Sequence, residues 1–251
     1  MSQVPMPLPE TDCQVMNTSY NELFEIVQRL PAGTQHYVIN ATHRLAEVDW
    51  ITSKLEEQIR TRGAPTVQEG ILSLQMYSLL TCADTLGHVY ISDNVGQRFR
   101  EFFKNLPQEA KQNLTDNIFT WKTNFAELIR LGLGDAKTNT ASYPSRQQVI
   151  DFLQPLSLDE RLEAVMDFFY VLRNYHTHES EHPQLGYHPT LSVMQNQRLN
   201  VSNVATLGTL DRLHPTSSGN DIYFTYYETN DVIATLRWSI VRGLGKVVGR
   251  I

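Results

Sequence analysis

Leu158-Asp159-Glu160-Arg161-Leu162-Glu163-Ala164-Val165-Met166-Asp167-Phe168-Phe169-Tyr170-Val171-Leu172-Arg173-Asn174-Tyr175-His176-Thr177-His178 decides how this chain is read. Leu158, Leu162, Val165, Met166, Phe169 and Leu172 recur at helical spacing, which predicts an amphipathic helix with one buried stripe. Ser157-Leu158-Asp159-Glu160 supplies its start, because the Ser hydroxyl can accept from the amide three residues on and the Glu can return the bond. The two acids also suit the positive end of the helix dipole. The far end differs in kind: a guanidinium, a carboxamide and two imidazoles crowd Arg173 to His178. A hydrophobic stripe accounts for the helix and leaves that terminus unexplained.

Upstream the pattern is helical almost throughout. Residues 1–17, with Pro5, Pro7 and Pro9, read as a flexible N-terminal tail. Tyr20 to Leu30 predicts a short helix stopped by Pro31, and the spacing of Val38, Leu45, Val48, Ile51, Leu55 and Ile59 predicts a long one over about 35–60. Thr66-Val67-Gln68-Glu69 reads as a capping box ahead of Ile71, Leu72, Leu79, Ala83 and Leu86. A short helix over Arg98 to Leu106, one or two more over Gln108 to Leu131, and another from Ser145 to Leu153 follow around a loop holding Gly132, Gly134 and Pro144. The period then changes. Tyr187–Val193, Leu199–Leu207 and Ile222–Tyr227 are short and β-rich between Gly, Pro, Ser and Asn, and predict a two- or three-stranded antiparallel excursion at about 186–228. Thr229-Asn230-Asp231 then caps a last helix from about Val232. The expected fold is mainly α: one helical domain over 18–251 with a small antiparallel β insertion near its C-terminal third.

The bulk composition narrows the function. The 251 residues suffice for a sizeable core, and 41% hydrophobic with 19% charged residues is ordinary for a folded protein. A formal charge of −6 argues against a broad basic nucleic-acid surface, though not against a small basic cleft. Cys13 and Cys82 match no zinc spacing, and a disulfide between them stays open only in principle. Without a recognisable leader or a long apolar run, a cytoplasmic, membrane-free setting is expected.

The chemistry concentrates at 173–178. Asn174 and His178 form an i,i+4 pair and Arg173 and His176 an i,i+3 pair, whereas Arg173 and His178 diverge in an unbroken helix. They converge on one ligand if the helix kinks near Thr177, or if a second subunit supplies one of them. Imidazole moves protons near neutral pH, and a guanidinium grips phosphate by two parallel bonds and stabilises charge building on it. Arg, His and Asn without a neighbouring carboxylate suit phosphodiester cleavage in which a ribose 2′-hydroxyl attacks phosphorus without a metal.

This arrangement resembles the HEPN superfamily, whose signature is Arg, a polar residue (often Asn), three variable residues and His at the end of a long bundle helix. Here it reads Arg173-Asn174-Tyr175-His176-Thr177-His178. Cys82-Ala83-Asp84-Thr85-Leu86-Gly87, followed by Gly96-Gln97-Arg98-Phe99-Arg100-Glu101-Phe102, is similar to a segment of uncharacterised bacterial members. The resemblance spans about 66–180 and implies a helical bundle, usually homodimeric, with two motif copies facing a cleft. Many relatives are metal-independent endoribonucleases of toxin–antitoxin or phage-defence systems; others are binding or accessory domains. Carried over, Arg173 clamps phosphate, His178 acts as acid or base, Asn174 assists, and His176 is a second candidate for the imidazole role. RNA and a cognate antitoxin or regulatory protein are the implied partners, with no cofactor and no metal. Greater length, the β excursion and the acidic charge depart from compact members.

Plainer readings stand beside these. Arg173 can simply satisfy the last carbonyls of its helix, and His176 and His178 can cap or pack. His176, His178, His182 and His188, with Glu179 and Glu181, offer a metal reading without a standard zinc spacing. Asp84 either faces solvent or turns inward to pair with Arg173, orienting the guanidinium and offsetting its charge. Gly243-Leu244-Gly245-Lys246 lacks the spacing of a phosphate-binding loop. In the last helix Arg237, Arg242, Lys246 and Arg250 form a basic series opposite Ile233, Leu236, Ile240, Leu244, Val248 and Ile251. That series either meets solvent beside a packed apolar side or, for Arg237, Arg242 and Lys246, walls a substrate-binding surface for RNA beside Arg173. A metal-independent endoribonuclease is thus one expectation and a non-catalytic interaction or regulatory module the other.

Overall fold

Burial at helical spacing organises the molecule. In the computed structural model, residues 6–62, 65–91, 95–132, 134–135, 137, 140–141, 146–174, 191–195, 198–202, 207–212, 221–226 and 229–250 are described. They are mainly helical: α1 (Glu10–Val15), α2 (Tyr20–Arg29), α3 (Ala32–Arg62), α4 (Pro65–Gly87), α5 (Val95–Lys104), α6 (Gln108–Asn117), α7 (Phe125–Arg130), α8 (Arg146–Leu153), α9 (Leu158–Asn174) and α10 (Thr229–Val247). Among them no helix is long and apolar enough to cross a membrane.

The central helix is α4. Met76, Leu79, Leu80, Ala83 and Leu86 lie on its buried side, and it packs against α3, α5, α9 and α10. Three contacts fix α3 and α4 as an antiparallel pair: Gln75 Nε2 donates to Thr52 Oγ1, Cys82 Sγ to the Ala41 carbonyl, and the Tyr37 ring lies on His88. From α10, Val232, Leu236, Ile240 and Leu244 point into the same core at four-residue steps, continued by Val248 just past its end. Between α5 and α9 the core is aromatic: Phe99, Phe102 and Phe103 cluster on α5, Phe168 and Phe169 on α9, and Phe103 meets Phe169 with centroids 5.9 Å apart. Fully burying each such side chain is worth about 1.5–3 kcal/mol, so this seam is a main source of cohesion. At Gly243 α10 passes so close to α5 that an added Cβ would press on the Phe102 ring and Leu106.

The caps of α2 and α9 are made as their residue types dictate. Ser19 and Glu22 form a reciprocal capping box, and at α9 the Ser157 hydroxyl accepts from the Glu160 amide while Glu160 accepts from the Ser157 amide. By contrast α4 begins at Pro65, ahead of the Thr66 expected to cap it, with proline at the position where a missing N–H costs least.

Three expectations are corrected. Residues 6–17 are packed rather than loose: Met6, Leu8, Cys13 and Met16 are buried, and α1 rests on α10 and α2. The prolines set the extended entry to α1, but the apolar residues among them drive the segment into the core. Cys13 and Cys82 are both free, buried thiols; burial raises both, Cys13 to about 11.

The segment after α6 is also not all helix. Phe119–Asn124 is a strand, β1, and a short pair, β2 (Gly134–Asp135) with β3 (Thr140–Ala141), lies in the loop before α8. Third, the β-rich run supplies four strands instead of two or three: β4 (Leu191–Gln195), β5 (Arg198–Ser202), β6 (Leu207–Arg212) and β7 (Asp221–Tyr226). With β1 they form the order β1-β7-β6-β4-β5, antiparallel except for the β4–β6 pairing. Thr120 and Thr225 share a hydroxyl hydrogen bond across β1–β7 at 3.2 Å, and the Trp121 ring packs at a tilt on Phe152 of α8. β1 thereby joins the sheet to α8 and α9.

Candidate functional site

α9 is held by its apolar stripe of Leu162, Val165, Met166, Phe169 and Leu172, which leaves Arg173 in its last turn beside α4. There the guanidinium Nη2 donates to Asp84 Oδ2 at 3.0 Å. Both side chains are largely buried, about 16% and 15% exposed, so Asp84 turns inward instead of facing solvent. The expectation of no carboxylate near Arg173 is thereby corrected: Asp84 orients the guanidinium and offsets part of its charge. Its other oxygen, Oδ1, is buried with no hydrogen-bond partner among the described residues. Burial pushes the Asp84 carboxyl above its ordinary range, against the opposing pull of Arg173, His88 and Arg98.

One turn beyond Asp84 stands His88. Its ring lies nearly flat on Tyr37 of α3, centroids 4.4 Å apart and planes 14° from parallel. Arg98 of α5 brings Nη1 to 3.2 Å from His88 Nε2. A guanidinium only donates, so Nε2 accepts and the imidazole in this contact is neutral, its proton on Nδ1. Burial and the Arg98 charge lower the His88 pKa, opposed by Asp84. On α3, His36 meets the edge of Tyr37 and shares a 3.0 Å hydrogen bond with Asn40. The end of α4 thus carries Asp84 and His88 between guanidiniums from α5 and α9.

The other expected site residues divide. Asn174 ends α9, and of its side chain nothing is described; His176 and His178 lie outside the described residues, as does the tract through His182 and His188. Among the described residues no group of three or more His, Cys, Asp or Glu is arranged to hold a metal. On α10, Arg237 reaches Asp12 of α1 at 2.6 Å, Asp49 of α3 at 2.8 Å and the Leu45 carbonyl at 3.3 Å. Burial opposes the Arg237 charge, but the hydrogen bonds and charges of Asp12 and Asp49 outweigh it and raise its pKa. Arg242 donates to the Val15 carbonyl at 2.8 Å and pairs with Glu109 of α6, while Lys246 is exposed. Two of the three cations expected on a substrate wall are therefore engaged by α1, α3 and α6, whereas Arg173 is engaged by α4.

The sequence reading did not single out His88 or the placement of Tyr37. A signal existed: Asp84 and His88 are an i,i+4 pair at the end of an apolar helix, followed by Gly96-Gln97-Arg98. What the spacing lacks is the third partner, since Tyr37 sits in a different helix.

Comparison of the chain with protein-family models, with curated proteins and with solved structures finds no match in any of the three.

Proposed function

We propose that the chain is a HEPN-like helical domain that cleaves RNA phosphodiester bonds without a metal, using Arg173 as phosphate clamp and His178 as acid–base group, in a homodimer. The observation that carries the reading is the Arg173–Asp84 pair. A guanidinium that must stabilise charge on a phosphorane works best when its direction is set before the ligand arrives, and a part-buried carboxylate sets it. Arg98 supports the reading because its charge acts on the same Asp84 as that of Arg173. In this scheme His178 takes the proton of the 2′-hydroxyl or returns one to the leaving 5′-oxygen, and Asn174 fixes a phosphate oxygen.

The test is cleavage of a mixed-sequence RNA in the presence of chelator by the wild type, His178→Ala and Arg173→Ala. Loss of an acid–base imidazole or of a preorganised cation is expected to lower the rate by about 10²–10⁴-fold. Equal rates in all three proteins would overturn the catalytic assignment.

A second reading takes the same pair together with the ion pairs of α10. Arg173 is mostly buried and shares its charge with a carboxylate, while Arg237 and Arg242 are tied into the subunit. A non-catalytic interaction or regulatory module would keep its cations in such internal pairs. Under it, a partner such as an antitoxin or regulatory protein binds equally well to wild type and His178→Ala, and neither protein cleaves RNA.

A further inference from the structure

We infer that His88 and Arg98, backed by Tyr37, form a binding site for a phosphate-type oxyanion at the junction of α3, α4 and α5, and that binding draws a proton onto His88. The site does not involve His178, so it stands or falls separately from RNA cleavage.

The argument begins with Gly87. A Cβ built there would run into the Arg98 carbonyl oxygen, so only glycine lets the end of α4 and the first turn of α5 approach this closely. That approach puts the Arg98 guanidinium on His88 Nε2. Tyr37 then fixes the plane of the imidazole from the α3 side. His88, Arg98 and Tyr37 are each only partly buried, so a small ion reaches them from solvent. The carbonyl end of α4 and the amide end of α5 meet here and largely offset each other, which leaves the side chains to decide the sign.

The side chains favour an anion. The groups facing His88 are Asp84 one turn before it on α4, Arg98 from α5, and Tyr37 and His36 from α3. Among the described residues Asp84 is the one carboxylate acting on His88, and it is bonded to Arg173 of α9 on its other side. Without a ligand, burial and the neighbouring Arg98 charge both disfavour the protonated ring. An oxyanion lying against both removes that conflict: the guanidinium donates to it, the imidazole turns its Nε2 from acceptor to donor by gaining a proton, and both bonds become charge-assisted. One proton enters from solvent for each anion bound, and no covalent bond changes.

Inorganic sulfate is the probe of choice, since it stays dianionic across the range in which imidazole titrates. The His88 ring resonance, assigned by its absence from His88→Gln, is followed through a pH titration of the whole protein with and without sulfate at constant ionic strength. Saturating sulfate is expected to raise the His88 midpoint by about one pH unit, which is about tenfold tighter sulfate binding on the acid side. Arg98→Gln abolishes the sulfate effect, whereas Arg98→Lys keeps a weaker one because it retains charge without the fork. His178→Ala retains it, which separates this site from the catalytic proposal. A short RNA with a 5′-phosphate and the same RNA without it distinguish a terminal monoester from an internal diester as the group bound. A shift with either RNA supports the site. An unmoved His88 midpoint in sulfate and in both RNAs, or a full shift in Arg98→Gln, overturns it.

Discussion

Two largely buried arginines, one beside α3 and one beside α4, pair with aspartates and are used differently. Arg237, on α10, is surrounded: Asp12 and Asp49 accept from its nitrogens, and so does the Leu45 carbonyl. Arg173, on α9, is bonded to one oxygen of Asp84, and the other oxygen is buried with no described hydrogen-bond partner. The first arrangement satisfies the acids that share it and pins three helices together. The second leaves polar capacity on the carboxylate beside a histidine and a second guanidinium. A buried pair that is fully bonded holds structure, and one left incomplete in a partly open position is where ligand chemistry is to be sought.

The largest effect that would test the contrast is the loss of Arg237. Arg237→Met leaves Asp12 and Asp49 facing an apolar chain, with Asp12 already raised by burial, and is expected to cost about 3–5 kcal/mol in urea unfolding. Arg173→Met, which strips the guanidinium from one carboxylate instead of two, should cost about 1–2 kcal/mol. Adding Asp84→Asn to it should recover part of that loss, because the amide carries no charge to bury. Equal costs for the two arginine variants would show that both pairs are structural and remove the main support for a site at the end of α9.

Glycine sharpens the comparison at intermediate size. Gly87→Ala forces α5 away from α4 and is expected to destabilise by about 1–3 kcal/mol, as overpacking does, while separating Arg98 from His88. Gly33, in the first turn of α3, has open space around it, and Gly33→Ala should change stability by no more than about 0.5 kcal/mol in either direction. Thermal unfolding of the two variants side by side checks this. A tolerant Gly87 would mean that the α4–α5 approach can relax without cost.

Much of this architecture was legible because it is local. The start of α9 follows from Ser157 and Glu160, and its buried side from Leu162, Val165, Met166, Phe169 and Leu172. The same holds for the four-residue steps of α10. β1 was not legible as a strand: its Phe-Thr-Trp-Lys-Thr alternation carries β propensity, but its partner β7 lies about a hundred residues away, as the Thr120–Thr225 contact shows. The N-terminal segment misled because prolines signal looseness while Met6, Leu8, Cys13 and Met16 supply burial. At the candidate site, periodicity allowed Asp84 to face either solvent or Arg173, and only packing 89 positions apart selects the second. The same limit hid His88, whose partners come from α3 and α5.

The smallest effect separates the two regions by their response to acid. His88 has a folded pKa below its ordinary 6.5, since burial and Arg98 disfavour the charged ring. A group of that kind contributes stability that is whole above pH 6.5 and is lost as pH falls through the folded value. Asp12 and Asp84 have the opposite sign: burial raises them, so their contribution is greatest below 3.8 and declines as pH rises through their folded values. Acidification below pH 6.5 therefore weakens the His88 contact while easing the burial of both aspartates. His88→Gln removes the first response and leaves the second, so its stability should fall less than that of the wild type between pH 7 and pH 5, read from urea midpoints at each pH. Sulfate adds the decisive contrast. If an anion restores the favourable protonated form of His88, it should shrink the wild-type loss at pH 5 and leave His88→Gln unmoved, whereas a purely structural histidine would show the same loss with or without the ion.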